Sequence, residues 1–109
     1  MQKLVLIDKL FPTLRSGGIR VTIRNGYRDI RLGNLTFKNL SDDEAFDVCV
    51  DEVRHSLLMD IGDDILKLGN FVSFDELLDN LLTHYPEISL DDEVTIIIFT
   101  NYSNDGMDN

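Results

Sequence analysis

Two spacings of apolar side chains organise this chain. Ile19-Arg20-Val21-Thr22-Ile23-Arg24 repeats every second residue, the mark of a half-buried strand. Ile19, Val21 and Ile23 share one face, and Arg20, Thr22 and Arg24 share the other. Asn25-Gly26 then signals a turn. Ala45 to Val53 alternates in the same way, with Phe46, Val48 and Val50 together and Cys49 opposite them, between Asp47 and Asp51. Lys3 to Ile7, a run rich in Leu, Val and Ile, predicts a short strand, and Leu32 to Phe37 predicts a turn entering another. Val94 to Phe99, broken only by Thr95, is β-branched at nearly every position and predicts a central strand covered on both sides.

The helical period is clearest after Ser73. Ser73 and Glu76 form an S-x-x-E capping box, and Phe74, Leu77, Leu78, Leu81 and Leu82 follow as one apolar stripe. Tyr85-Pro86 ends that helix, because the residue before a proline leaves the helical region. Leu10 to Arg15, with Pro12 early and Gly17-Gly18 behind it, predicts one helical turn. His55 to Leu68 carries both signals. Leu57-Leu58-Met59 extends a sheet, whereas Asp63-Asp64 ahead of Ile65, Leu66 and Leu68 opens a helix with acids in its first turn. Five or more strands with two or more helices predict an α+β domain around a small curled sheet. Residues 1–100 are expected to form it, with 101–109 a flexible polar tail.

Composition fits one domain with one core: 109 residues, 43% hydrophobic and 28% charged. No apolar run is long enough to span a membrane, and the first residues lack the apolar stretch of a signal peptide. The lone Cys49 excludes an internal disulfide and suits the reducing cytoplasm. The net charge of −10 argues, as an average, against a nucleic-acid binder. The average hides a split. Residues 1–38 hold eight basic side chains against Asp8 and Asp29, a net of +6, while residues 39–109 set Arg54 and Lys67 against eighteen acids, a net of −16. Such a dipole can focus an anionic ligand on one face.

Candidate chemistry is sparse. His55 and His84 lie far apart, one cysteine is present, and no metal-binding spacing occurs, so neither a metal nor a cofactor is expected. Cys49 between two aspartates is discouraged from forming a thiolate and reads as structural. His84 sits where the helix dipole favours a cation. The constellation of interest is Gly17 to Arg24. Its alternation sets a hydroxyl, Thr22, between the guanidiniums of Arg20 and Arg24, a row of donors suited to a phosphate, a carboxylate or a base edge.

These residues carry a resemblance to the ASCH superfamily, whose fold is a PUA-like open β-barrel. Its signature, often G-x-K-T-x-T-x-R, is met at Gly17, Thr22 and Arg24, and Leu32-Gly33-Asn34 stands where the family often has a turn with Gly. A helix ending in Tyr-Pro (Phe74 to Pro86) and a last Val/Ile strand ending in Phe99 follow in the family's order. The resemblance spans roughly residues 5–100. It implies a barrel of five to six strands with two or more helices. It also implies a likeness to small bacterial N4-acetylcytidine amidohydrolases, whose chemistry uses the motif Lys, the following Thr and a Glu. Here the Lys position is Ile19 and the Glu position falls near Asn70, leaving Thr22 as the one weak catalytic candidate. Arg20, one position beyond the missing Lys, is too basic to serve as a base.

The resemblance therefore implies a pseudoenzyme cleft in which Arg20, Thr22, Arg24 and Arg28 bind RNA, a nucleotide or a modified nucleoside. Two alternatives stand beside it. One is an interaction or inhibitor protein of phage type, docking a basic protein partner through Asp42, Asp43, Glu44, Asp47, Asp51 and Glu52 as phosphate mimics. The other is a residual amidohydrolase working through Thr22. No membrane partner is expected.

Overall fold

The computed structural model describes residues 2–6, 11–39 and 44–101. The chain runs β1 (Gln2–Leu6), α1 (Phe11–Arg15), β2 (Val21–Asn25), β3 (Gly33–Asn39), β4 (Ala45–Leu57), a 3-10 turn (Leu58–Asp60), α2 (Asp63–Leu68), α3 (Phe74–His84) and β5 (Glu93–Asn101). One sheet of order β1-β3-β4-β5-β2 results, with β1 parallel to β3 and the other pairs antiparallel. The first two strands therefore occupy opposite edges. The sheet curls until those edges approach, and Nη1 of Arg24 in β2 donates to the Val5 carbonyl in β1 at 3.1 Å. The α+β half-barrel with its helices is as the sequence predicts.

Each face of the sheet carries its own core. Leu35, Phe37, Val48, Val50, Ile97 and Phe99 fill the inner face with Leu14 of α1. Val21, Ile23, Val94 and Ile96 meet α2 (Ile65, Leu66) and α3 (Leu77, Leu81) on the outer face. Strand β5 supplies both, its residues alternating between the two clusters, which is why nearly every position from Val94 to Phe99 is apolar.

The region of mixed signals resolves into three pieces. β4 continues past Val53 to Leu57, with a register shift between Val50 and Glu52 that leaves Asp51 as a bulge. The 3-10 turn buries Leu58, and α2 closes with a Schellman motif: Phe71 N–H donates to the Leu66 carbonyl at 2.9 Å and Asn70 N–H to the Lys67 carbonyl at 3.1 Å. α3 begins as predicted, with the Ser73 hydroxyl accepting from Glu76 N–H at 3.2 Å. Asn101 belongs to β5, where its Nδ2 donates to the Leu14 carbonyl at 2.8 Å. Ile7, Leu10, Asp42, Asp43 and the tail from 102 onward lie outside the described residues.

Candidate functional site

β2 is an edge strand of the described sheet, and the chemistry gathers along that edge. Phe99 N–H donates to the Arg20 carbonyl, and Gly26 N–H donates to the Glu93 carbonyl. With the β2–β5 register, the main-chain groups of Thr22 and Arg24 point to β5, and those of Val21 and Ile23 turn away from it. A cleft of about 740 Å³ borders this edge. Val5 and Leu6 of β1 and Thr13 and Leu14 of α1 form one wall. The α2–α3 connection (Asn70, Phe71) and one side of α3 (Glu76, Asn80, His84, Tyr85) form the other. The walls are mostly apolar, with a few convergent polar groups, the usual make-up of a small-ligand site.

Among the described residues, Arg24 is the Arg or Lys side chain that lines the cleft. Its Nε donates to the Thr22 hydroxyl at 3.2 Å and its Nη1 to the Val5 carbonyl at 3.1 Å. A guanidinium carries five donors; these two contacts fix its plane, a side-chain hydrogen bond engages it with the neighbouring Tyr85, and the remaining donors are open to a ligand. Burial pushes its pKa below the ordinary value; the neighbouring Tyr85 hydroxyl opposes that shift, and nearby Arg28 adds to it. The group stays charged at any physiological pH, but it is a cation with little water around it, where an anion or a base edge binds it more strongly.

The row expected on β2 is realised in part. Thr22 and Arg24 both line the cleft, as does Ile19 at the motif Lys position, packed against the inner core. Arg20 is exposed and outside the cleft, because the strand begins only at Val21. Its main chain is held between the Leu68 carbonyl and Phe99 N–H, at the mouth of the sheet. Arg28 also lies outside, its Nε donating to the Asn25 carbonyl at 3.2 Å. The expected basic cleft thus holds one guanidinium, not four.

Asn70 does reach the cleft, but in a left-handed conformation at φ +61° that belongs to the helix stop. Among the described residues, the carboxylate that lines the cleft is Glu76, and its Oε1 accepts from Val72 N–H at 2.7 Å. The sequence alone does not mark Glu76, Asn80, His84 and Tyr85 as a site. Their signal is the i, i+4, i+8 spacing of Glu76, Asn80 and His84, a polar row beside the buried Leu77 and Leu81.

Several of the acids expected to form a docking face already have partners among the described residues. Glu44 pairs with Arg15, Asp47 accepts from the Thr36 hydroxyl at 2.6 Å, and Glu52 and Asp64 flank Arg54 at 2.6 and 3.2 Å. Arg54 holds the Glu52 and Asp64 carboxyls below their ordinary range through these hydrogen bonds. Cys49 is half-buried. Among the described residues no three His, Cys, Asp or Glu side chains converge as a metal site would need, and no helix is long and apolar enough to cross a membrane.

No protein-family model matches the sequence, and no curated protein matches it by sequence. Solved structures do match in three dimensions. An ASCH domain from Lactobacillus crispatus superposes with a TM-score of 0.64 at 12% identity, covering 83% of this chain and 68% of that one. The ASCH protein of Zymomonas mobilis, as its S128A mutant, gives 0.68 at 10% identity, over 92% of this chain and 67% of that one. The chain has the ASCH fold. A protein of Enterococcus faecalis from the family DUF984 agrees, at 0.66 and 8% identity over 94% of this chain and 81% of that one. Within the ASCH fold the cleft described above lies between the two edge strands and the helix that ends in Tyr85-Pro86.

Proposed function

We propose that this ASCH fold binds a nucleoside or nucleotide unit, free or within RNA, in the cleft along β2, and does so without amidohydrolase chemistry. One observation carries the reading. A guanidinium held by Thr22, Val5 and Tyr85 stands in an apolar cleft beside main-chain groups of an edge strand that no described strand pairs. Apolar walls suit a base or sugar face, Arg24 suits a phosphate or a base carbonyl, and the backbone of Val21 and Ile23 offers donors and acceptors to a base edge. Against catalysis stands Ile19, which brings an inert side chain where the resemblance expects a titratable amine. Glu76 already uses one carboxylate oxygen as a helix cap.

Calorimetry with cytidine monophosphate and N4-acetylcytidine, with chromatography for released cytidine, tests this directly. Binding without turnover is expected. Arg24→Ala should weaken binding by about 10- to 150-fold, the equivalent of losing hydrogen bonds to a charged group worth about 1.5–3 kcal/mol. Turnover removed by Thr22→Ala would restore the hydrolase. Wild-type affinity in Arg24→Ala would overturn the cleft as the site and move the weight to a basic protein partner on the acidic strand β4.

A further inference from the structure

A second surface begins where β2 leaves the cleft. The registers place Arg24, Thr95 and His55 in one row across β2, β5 and β4. Thr95 is fully buried and pins the turn that follows β2. Its hydroxyl donates to the Gly26 carbonyl at 2.8 Å and accepts from Arg28 N–H at 2.8 Å. The single hydroxyl proton is thereby used, so the imidazole is the donor in the 3.3 Å contact with His55 Nδ1. Sheet and turn together orient the His55 ring.

Tyr27 lies flat on that ring, with centroids 4.3 Å apart and planes 16° from parallel. Tyr27 is nonetheless 64% exposed and belongs to neither core cluster. An aromatic side chain whose flanking main chain is pinned by a buried hydroxyl, yet which belongs to no core, presents its outer face to solvent. Arg28 and Arg31 follow on the same loop and outnumber its one acid, Asp29. Two strand spacings separate Arg24 from His55, a distance of about 10 Å.

We propose that Tyr27, backed by His55, is a stacking platform for a second base of a single-stranded nucleic acid, with Arg28 meeting the intervening phosphate. The proposal rests on the cleft as the first nucleotide site and extends it along the strand. Stacking on an exposed aromatic with a guanidinium alongside is the chemistry of sequence-tolerant single-strand binding.

The full chain is titrated with uridine monophosphate and, by fluorescence anisotropy, with a fluorescein-labelled oligouridylate. The oligomer should bind more tightly than the monophosphate. Tyr27→Ala should weaken the oligomer by about 5- to 150-fold, the effect of one stacked base, and leave the monophosphate unchanged. Tyr27→Phe should keep both affinities, and Tyr27→Leu, which still covers His55, should fail on the oligomer as Ala does. An oligomer that binds no tighter than the monophosphate, or equally well to Tyr27→Ala, overturns the platform and leaves the cleft standing. Oligomer binding that depends on Tyr27 without any monophosphate binding supports the platform and overturns the cleft. Wild-type protein that binds neither overturns both.

Discussion

Asn70 is the only non-glycine residue with positive φ among the described residues, and it sits at the rim of the cleft. Two demands meet there. The Schellman stop of α2 needs a left-handed residue after Gly69, and asparagine tolerates that conformation better than any side chain except glycine's absence of one. The resemblance to the amidohydrolases, by contrast, asks for an acid near this position. The backbone demand is the one the structure meets. Asn70→Gly should therefore leave stability unchanged or raise it by up to about 1 kcal/mol, and Asn70→Glu should lower it by about 1 kcal/mol, as read by urea denaturation. An Asn70→Glu variant as stable as the wild type would mean that the helix stop does not govern the site. Arg24 illustrates the opposite case, since its geometry comes from the fold and not from its own backbone. The Val5 carbonyl that anchors it is nineteen positions away in the chain and reaches it only because the sheet curls.

At the level of the elements, legibility followed periodicity. β5, α3 with its capping box, and the start of β4 were readable because burial on one or two faces leaves a repeating pattern. The second half of β4 was not. The bulge at Asp51 adds one residue, so Val50 and Val53 face the same core although they are three apart, and the alternation after Val53 changes phase. The site was legible to the same extent: Thr22 and Arg24 alternate correctly, whereas Arg20 precedes the strand and the α3 contribution depends on tertiary packing. Thr95 is the informative exception inside β5. A hydroxyl in an otherwise apolar run reads as a break, but it is the bolt between sheet and turn. Thr95→Val preserves shape and leaves the Gly26 carbonyl and Arg28 N–H without their partner, at a cost of about 1–3 kcal/mol. Thr95→Ser should retain most of that stability. Thermal unfolding of the two variants decides the matter, and equal melting temperatures would deny the hydroxyl its role.

At the scale of the whole molecule, the curl brings two strands of the basic half of the sequence, β1 and β2, to facing edges. The basic residues before position 39 lie on β1, α1, β2, β3 and the connections between them, and β1 and β2 are the two edges that the curl brings together. Beyond residue 38 only Arg54 and Lys67 are basic, and Arg54 is already engaged by Glu52 and Asp64. A nucleic-acid strand along β2 thus meets Arg24 in the cleft and Arg28 on the loop beyond it, with Glu76 also lining the cleft, so its electrostatic footprint must be small. Each phosphate neutralised on a single strand contributes about −0.7 to the slope of log affinity against log salt. With Arg24 and Arg28 as the phosphate contacts, that slope should be about −1.4, and Arg28→Ala should flatten it by about half. Anisotropy titrations of oligouridylate across a salt series measure it. A slope steeper than about −3 would require several phosphate contacts beyond Arg24 and Arg28, and would place the strand on a different surface. A slope near zero would leave base stacking and hydrogen bonding as the whole of the affinity, with Arg24 reading a base edge in place of a phosphate.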